Sequence, residues 1–151
     1  MSRTLIYKAT QELDYDVEAV WSIISKFDAV AAWSPIVVQC TTEGEGIGSV
    51  RYAVTESGGR FNEKLEILDH EAHTISYRFE EPVPFPATGL YGTQHLDAIA
   101  PGKTLLTWTA DAESIDQDVK ERVAEQMEGL LKISLGGLVE LLGKCQDEAS
   151  N

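Results

Sequence analysis

Glu63 is the residue of this sequence whose chemistry is most constrained by its neighbours. In an extended strand, alternation of side chains places it on one face with Phe61, Leu65 and Ile67. A carboxylate among apolar side chains has to be paired or protonated. Arg51, on what reads as the adjacent strand, is its natural partner. Two interpretations stay open: a buried ion pair that only fixes the register of the two strands, or an anchor for a polar group of a ligand.

His95 and Tyr91 indicate a second kind of chemistry, the transfer of protons. An unperturbed imidazole titrates near pH ~6.5, so His95 could act as a general base beside Tyr91. A lone histidine of this kind is more often a hydrogen-bonded residue of a cavity wall. Tyr77 and Tyr91 could donate hydrogen bonds to a ligand carbonyl, although such aromatic residues more commonly serve packing. The candidate catalytic residues are therefore Glu63, His95 and Tyr91.

Two other motifs have simpler explanations. His70 and His73, with Asp69 and Glu71, resemble a metal cluster, but they fall in an expected hairpin turn where solvated polar residues are common. We predict no metal and no cofactor. The proline-rich residues 80–86 resemble a polyproline ligand, yet inside a series of strands they are better explained as a stiff loop.

Composition and charge exclude several classes of partner. The 151 residues carry 12 basic and 25 acidic side chains, a net charge of −13 that repels nucleic acid and anionic membranes. No apolar run approaches the roughly 18 residues that a membrane span requires. Cys40 and Cys145 lack the spacing of a redox or metal motif, and no secretory leader precedes them. We therefore expect free thiols and a cytoplasmic protein.

Hydrophobic spacing predicts the order of the elements. Apolar residues three and four apart indicate a short helix containing Val20 and Trp21, followed by a brief helical piece that ends before Pro35. From Ile36 to Glu113 the period changes to two and hairpin turns recur, which predicts six strands. An opening strand over about residues 3–13 makes seven.

The last third of the chain predicts one long amphipathic helix. Apolar residues repeat at helical spacing from Val119 to Leu142. Gly136 and Gly137 inside it predict a bend or, as the less favoured alternative, a close approach to a bulky neighbour. A curved sheet wrapped around this helix is the economical packing solution, and it leaves a cavity between them. We predict a single α+β domain over residues 1–151, with a disordered tail from about residue 147.

Several short motifs occur in a recognisable order. They are Val20-Trp21 in the first helix, Trp33-Ser34-Pro35 before the second strand, residues 46–51 entering the third, residues 63–69, and the closing residues 134–138. With this order and spacing, nearly the whole chain resembles the SRPBCC superfamily, the polyketide cyclase/dehydrase and START-like proteins with the birch-pollen-allergen fold. The resemblance implies a helix-grip fold: a seven-stranded curved antiparallel sheet around a C-terminal helix, with two short helices between strands 1 and 2.

The resemblance also implies a ligand cavity, with the loop of residues 80–86 at its mouth, and it selects the face of each strand that lines it. The side chains expected to face inward from the strands are Arg51, Ala53, Thr55, Phe61, Glu63, Leu65, Ile75, Tyr77, Phe79, Tyr91, Thr93, His95, Leu106, Trp108 and Ala110. Those expected from the helix are Gln126, Leu130 and Ser134.

The chain also resembles the abscisic acid receptors, but Ser34 stands where they place the lysine that pairs with the ligand carboxylate. The Ser-Gly-Leu-Pro-Ala gate loop of those receptors is also missing, because residues 57–60 form only a tight turn. We therefore expect no receptor function of that kind.

Three classes of function follow from this reading. The leading hypothesis is binding or transport of a small hydrophobic ligand, such as an aromatic polyketide, a sterol-like or a fatty molecule, in the internal cavity. The alternative is a polyketide cyclase-like or dehydratase-like enzyme in which Glu63, Tyr91 or His95 moves a proton. A protein-interaction module is the third. The chain is expected to be a monomer or a homodimer.

Overall fold

A computed structural model describes residues 2–150, and the side chains of residues 2–147. Seven strands form one antiparallel sheet in the order β1-β7-β6-β5-β4-β3-β2. Their bounds are β1 Thr4–Leu13, β2 Val37–Glu43, β3 Val50–Thr55, β4 Arg60–Asp69, β5 Thr74–Phe79, β6 Ala87–Ala100 and β7 Lys103–Ile115. Strands β2 to β7 are therefore sequential neighbours, and β1 joins the sheet beside β7.

Three helical segments complete the fold. The helix α1, Val17–Ile24, buries Val20, Trp21 and Ile24, the apolar stripe that its three- and four-residue spacing predicts. A 3₁₀ helix, Phe27–Ala32, follows it, and the long helix α2, Gln117–Ser150, closes the chain. The predicted fold, with two short helices between strands 1 and 2, is confirmed. None of the described helices is both long enough and apolar enough to cross a membrane.

The helix α2 lies close to the segment that joins the 3₁₀ helix to β2. A Cβ built on Gly137 would collide with the carbonyl oxygen of Trp33 and would stand 2.5 Å from Pro35 Cδ, whereas one built on Gly136 would meet nothing within 4 Å. The close approach therefore explains why position 137 has no side chain. The helix α2 continues through both glycines as one helix. The helix also extends to Ser150, where the sequence predicted a tail from about residue 147. Asn151 lies outside the described residues.

Strand β4 contains an irregularity that changes which side chains face the helix. The pairing of β4 with β5 shifts register between Leu65 and Ile67, so that Leu68 pairs with the buried Ile75. A bulge of this kind moves the following residues to the other face. Ile67 is 47% exposed as a result. The expectation that Ile67 shares the inward face of Glu63 is therefore wrong.

Candidate functional site

A cavity of about 100 Å³ lies between the sheet and α2. Most of the side chains around it are aliphatic or aromatic, and they come from the 3₁₀ helix, the segment before β2, five strands, the loop before β6 and α2. The apolar set comprises Val30, Trp33, Ile36, Val37, Ala53, Phe61, Phe79, Phe85, Trp108, Ala110, Met127, Leu130 and Leu131. The polar groups in the wall are Ser34, Arg51, Glu63, Tyr77, Gln94, Thr109 and Ser134.

Arg51 and Glu63 face each other across β3 and β4 and both point into the cavity. Arg51 Nε donates to Glu63 Oε1 at 2.8 Å, and its Nη1 donates to the carbonyl oxygen of Phe27 at 2.9 Å. The guanidinium also lies over the rings of Phe27 and Tyr77, 4.2 and 4.8 Å from their centroids. Both side chains of the pair are only 8% exposed. The positive charge of Arg51 is therefore already satisfied by protein groups.

Tyr77 is held by strands β6 and β7. The indole Nε1–H of Trp108 donates to its hydroxyl oxygen at 3.2 Å. Its ring lies against Gly92, where a Cβ would stand 2.5 Å from Tyr77 Cζ. Burial, and to a smaller extent the charge of Glu63, raises the pKa of Tyr77, so the hydroxyl keeps its proton at neutral pH. Tyr77 can donate this proton in a hydrogen bond.

Three further polar residues of the wall are Ser34, Ser134 and Gln94. The hydroxyls of Ser34 and Ser134 are 2.9 Å apart and join the segment before β2 to α2. Gln94, on β6, is buried, and among the described residues its side-chain amide has no hydrogen-bond partner. Among the described residues, the cavity wall therefore holds an internally neutralised ion pair, two serine hydroxyls bonded to each other, the Tyr77 hydroxyl and an amide without a hydrogen-bond partner.

The structure places most of the predicted inward residues around the cavity. Those that line it are Arg51, Ala53, Phe61, Glu63, Tyr77, Phe79, Trp108, Ala110, Leu130 and Ser134. Leu65, Ile75 and Leu106 are buried in the adjoining core. Thr55 lies at the end of β3, where its hydroxyl bonds within the hairpin turn to Ser57 and Gly59. Gln126 is exposed, because Met127 and not Gln126 lies on the buried face of α2.

The predicted face of β6 is wrong. Tyr77 pairs with Gly92, and Trp108 pairs with Gln94, and directly paired residues share a face of the sheet. Tyr91, Thr93 and His95 consequently lie on the opposite face. On that face, the Arg3 guanidinium lies over the Tyr91 ring. The Thr93 hydroxyl is hydrogen-bonded to Ser76. The His95 imidazole is hydrogen-bonded to Thr74 and Asp97. Neither Tyr91 nor His95 can exchange a proton with a molecule in the cavity.

Sequence reasoning missed Gln94 and Phe85 among the wall residues, and a sequence signal was available for the first of them only. Leu90 and Leu96 are both buried, and they lie on the same face of β6 as Gly92 and Gln94, because even numbers of residues separate them along the strand. Apolar alternation at these leucines therefore marks the inward face. Phe85 comes from the loop of residues 80–86 and stacks on Phe61, with ring centroids 6.3 Å apart. No sequence periodicity reports on a loop residue of this kind.

The histidines of the β4–β5 turn serve contacts with α1. The Nε1–H of Trp21 donates to His70 Nδ1 at 3.1 Å, and His73 Nε2 lies 2.6 Å from Glu18 Oε1. Both imidazole rings pack edge-on against the Trp21 indole. Within the described part of the chain, no group of three or more potential ligands is arranged to hold a metal ion.

Comparisons with known proteins agree on one family. A family model described as "Polyketide cyclase / dehydrase and lipid transport" matches residues 5–143. The abscisic acid receptor PYL10 of Arabidopsis thaliana is 28% identical over 86% of this chain and 75% of the receptor. The receptor PYL6 of the same plant is 37% identical over 44% of this chain, and the match spans only about a third, 34%, of that receptor.

A solved structure is similar over most of its length. A protein from Thermobifida fusca, determined by solution NMR, has a TM-score of 0.81 to this chain at 22% identity. The match covers 91% of this chain and 93% of that one. At this level of identity the likeness concerns the fold alone.

Proposed function

Because this chain belongs to the polyketide cyclase/dehydrase and lipid transport family of the SRPBCC superfamily, we propose that it binds a small, largely apolar molecule in the cavity beneath α2. One observation carries the proposal. The cavity wall is aliphatic and aromatic except for a few polar groups, and the charged pair that its described residues contain is internally neutralised. Such a wall is typical of a small-molecule site in which burial supplies affinity and few polar groups orient the ligand.

The size of the cavity restricts the ligand. A cavity of about 100 Å³ is smaller than the roughly 150 Å³ apolar cavity that accepts benzene. Sites for drug-sized molecules are about 300–1,000 Å³. Even a molecule with a single ring therefore requires the wall to move outward, and a polyketide or a sterol requires a larger opening. Val37, Phe85, Leu130 and Leu131 are partly exposed, and we expect the wall to open at these side chains.

Catalysis by the predicted groups has less support. Tyr91 and His95 lie on the other face of the sheet, and Glu63 is engaged by Arg51. Tyr77 keeps its proton and so is not a base at neutral pH. A cyclase or dehydratase reaction in this cavity would have to rely on Glu63 alone for general base chemistry.

Titration with a single-ring hydrocarbon tests the proposal. We expect α-methylstyrene to shift the NMR amide signals of residues that line the cavity, such as Ala53, Tyr77 and Ala110. Ala53→Leu, which fills the cavity from β3, is expected to weaken binding at least about tenfold. The matched control is Ala98→Leu at an exposed position of β6, which should bind like the unmodified protein.

Two results would count against the proposal. One is the absence of any shift at the cavity residues up to the solubility limit of the hydrocarbon. The other is equal binding by Ala53→Leu and Ala98→Leu. If Ala53→Leu fails to fold, Ala110→Val makes a smaller addition from β7 to the same wall. Native mass spectrometry of the freshly purified protein would then identify any molecule that it retains.

A further inference from the structure

Gln94 is a buried residue whose side-chain amide has no hydrogen-bond partner among the described residues. The residue is 3% exposed and lines the cavity. Among residues 2–147 its amide forms no hydrogen bond, either as a donor or as an acceptor. Because most buried polar side chains have a partner, an unpaired amide that faces a cavity indicates a group awaiting one from outside the chain.

Tyr77 offers an unused donor beside it. Its hydroxyl oxygen accepts the indole Nε1–H of Trp108. Among the described side chains and backbone, we find no acceptor for the hydroxyl proton itself. Tyr77 is 5% exposed and lines the cavity, so this proton also points to a partner that the chain does not supply.

The sheet register brings these two groups to one patch of the wall. Gln94 pairs with Trp108 on β7, the residue whose indole holds the Tyr77 hydroxyl. Tyr77 pairs with Gly92, two residues before Gln94 on the same face of β6. The absence of a side chain at Gly92 lets the Tyr77 ring lie against β6. The hydroxyl and the amide therefore belong to one polar patch within apolar surroundings.

The charges around the patch determine which ligand groups it can accept. Of the side chains in residues 2–147, Arg51 is the only cationic one that lines the cavity, and it is engaged by Glu63 and by the Phe27 carbonyl. A ligand carboxylate would therefore add a second negative charge near Glu63 with no free cation to balance it. An uncharged acceptor avoids this penalty.

We propose that Tyr77 and Gln94 form the polar subsite of the cavity and select an uncharged carbonyl compound over a hydrocarbon or a carboxylate of the same shape. The inference rests on the proposed binding function and names the chemical class of its ligand. The Tyr77 hydroxyl and the Gln94 amide N–H donate to the carbonyl oxygen. The Gln94 amide oxygen then remains available for a neighbouring hydroxyl or N–H of the ligand.

Three molecules of nearly the same shape separate the contributions: acetophenone, α-methylstyrene and benzoate. The phenyl ring is the same in all three. It carries an acetyl group in acetophenone, an isopropenyl group in α-methylstyrene and a carboxylate in benzoate. We expect the unmodified protein to bind acetophenone about tenfold more tightly than α-methylstyrene, because the hydrocarbon leaves the buried donors unpaired. Benzoate is expected to bind more weakly than either. Affinities are measured by NMR titration or calorimetry.

Variants then assign the preference to the two residues. Tyr77→Phe and Gln94→Met should each reduce the ratio of acetophenone to α-methylstyrene affinity at least about threefold. The control His95→Gln, on the opposite face of β6, should keep the ratio of the unmodified protein. A ratio within one variant cancels any loss of stability that the variant suffers. If Tyr77→Phe fails to fold because Trp108 loses its acceptor, Gln94→Met carries the test.

The possible failures are distinguishable. If α-methylstyrene and acetophenone bind equally, or if both variants keep the preference, the subsite is wrong while the binding function stands. If benzoate binds as tightly as acetophenone, the argument from charge is overturned. If none of the three binds, the proposed function itself fails, and the subsite fails with it.

Discussion

Gly92 lies against the ring of Tyr77 so closely that a Cβ built on it would stand 2.5 Å from Tyr77 Cζ. The two residues are direct partners in the β5–β6 ladder. A side chain at position 92 would therefore push the Tyr77 ring away from β6 and disturb the hydrogen bond that the Tyr77 hydroxyl accepts from the Trp108 indole. This contact fixes the position of a hydroxyl in the cavity wall.

Gly92→Ala is expected to lower the free energy of unfolding by about 1–3 kcal/mol, the usual cost of overpacking a buried site. Urea unfolding measures the change. In a Tyr77→Leu background the ring is absent, and the added cost of Gly92→Ala should fall below about 1 kcal/mol. An equal cost in both backgrounds would show that the ring contact is not its cause.

Local residue patterns predict the elements of the fold, but they do not by themselves assign every strand face. Period-two patterning identified seven strands, and three- and four-residue spacing identified α1 and α2. The family resemblance selects the wrong face of β6, whereas the apolar residues Leu90 and Leu96 lie on the buried face. The pairing of Arg51 with Glu63 needed only alternation within two adjacent strands and was correctly anticipated.

Other features depend on three-dimensional proximity that alternation does not encode. The bulge before Ile67 turns an apolar residue outward, and nothing in the residues around it signals the shift. Phe85 enters the cavity from a loop. Gly137 is required by the backbone of Trp33, which is about a hundred residues away along the chain.

The adjacent glycines of α2 give opposite predictions. Gly136→Ala places a methyl group in open space and gains helix propensity, so it should raise the free energy of unfolding by up to about 1 kcal/mol. Gly137→Ala places the same group against the Trp33 carbonyl and Pro35, and should lower it by about 1–3 kcal/mol. Thermal and urea unfolding of the two variants provide the comparison. Similar effects from both would mean that α2 does not approach this segment.

The Arg51–Glu63 pair predicts strong coupling in a double-mutant cycle. Arg51→Met leaves a buried carboxylate unpaired, and Glu63→Leu leaves a buried guanidinium with the Phe27 carbonyl and two aromatic rings but no anion. Each single change should cost about 3 kcal/mol or more. The double variant should lie within about 2 kcal/mol of the unmodified protein, since apolar residues can replace a buried ion pair. Additive losses in urea unfolding would contradict an interaction between the two side chains.

Burial raises the pKa of Tyr77, and this makes stability depend on alkaline pH. Above about pH 10 an unfolded tyrosine loses its proton, whereas native Tyr77 retains it. The native state then binds more protons than the unfolded state, so this contribution to stability is present below pH 10 and is lost as the pH rises further. Removal of the hydroxyl by Tyr77→Phe should make the decline in the free energy of unfolding above pH 10 less steep.

A spectrophotometric titration checks the cause: the folded protein and the folded variant should show the same phenolate absorbance near pH 10, and only unfolding should reveal the additional phenolate of Tyr77. A difference between the two folded proteins at that pH would mean that solvent reaches the hydroxyl and that the cavity wall is open there.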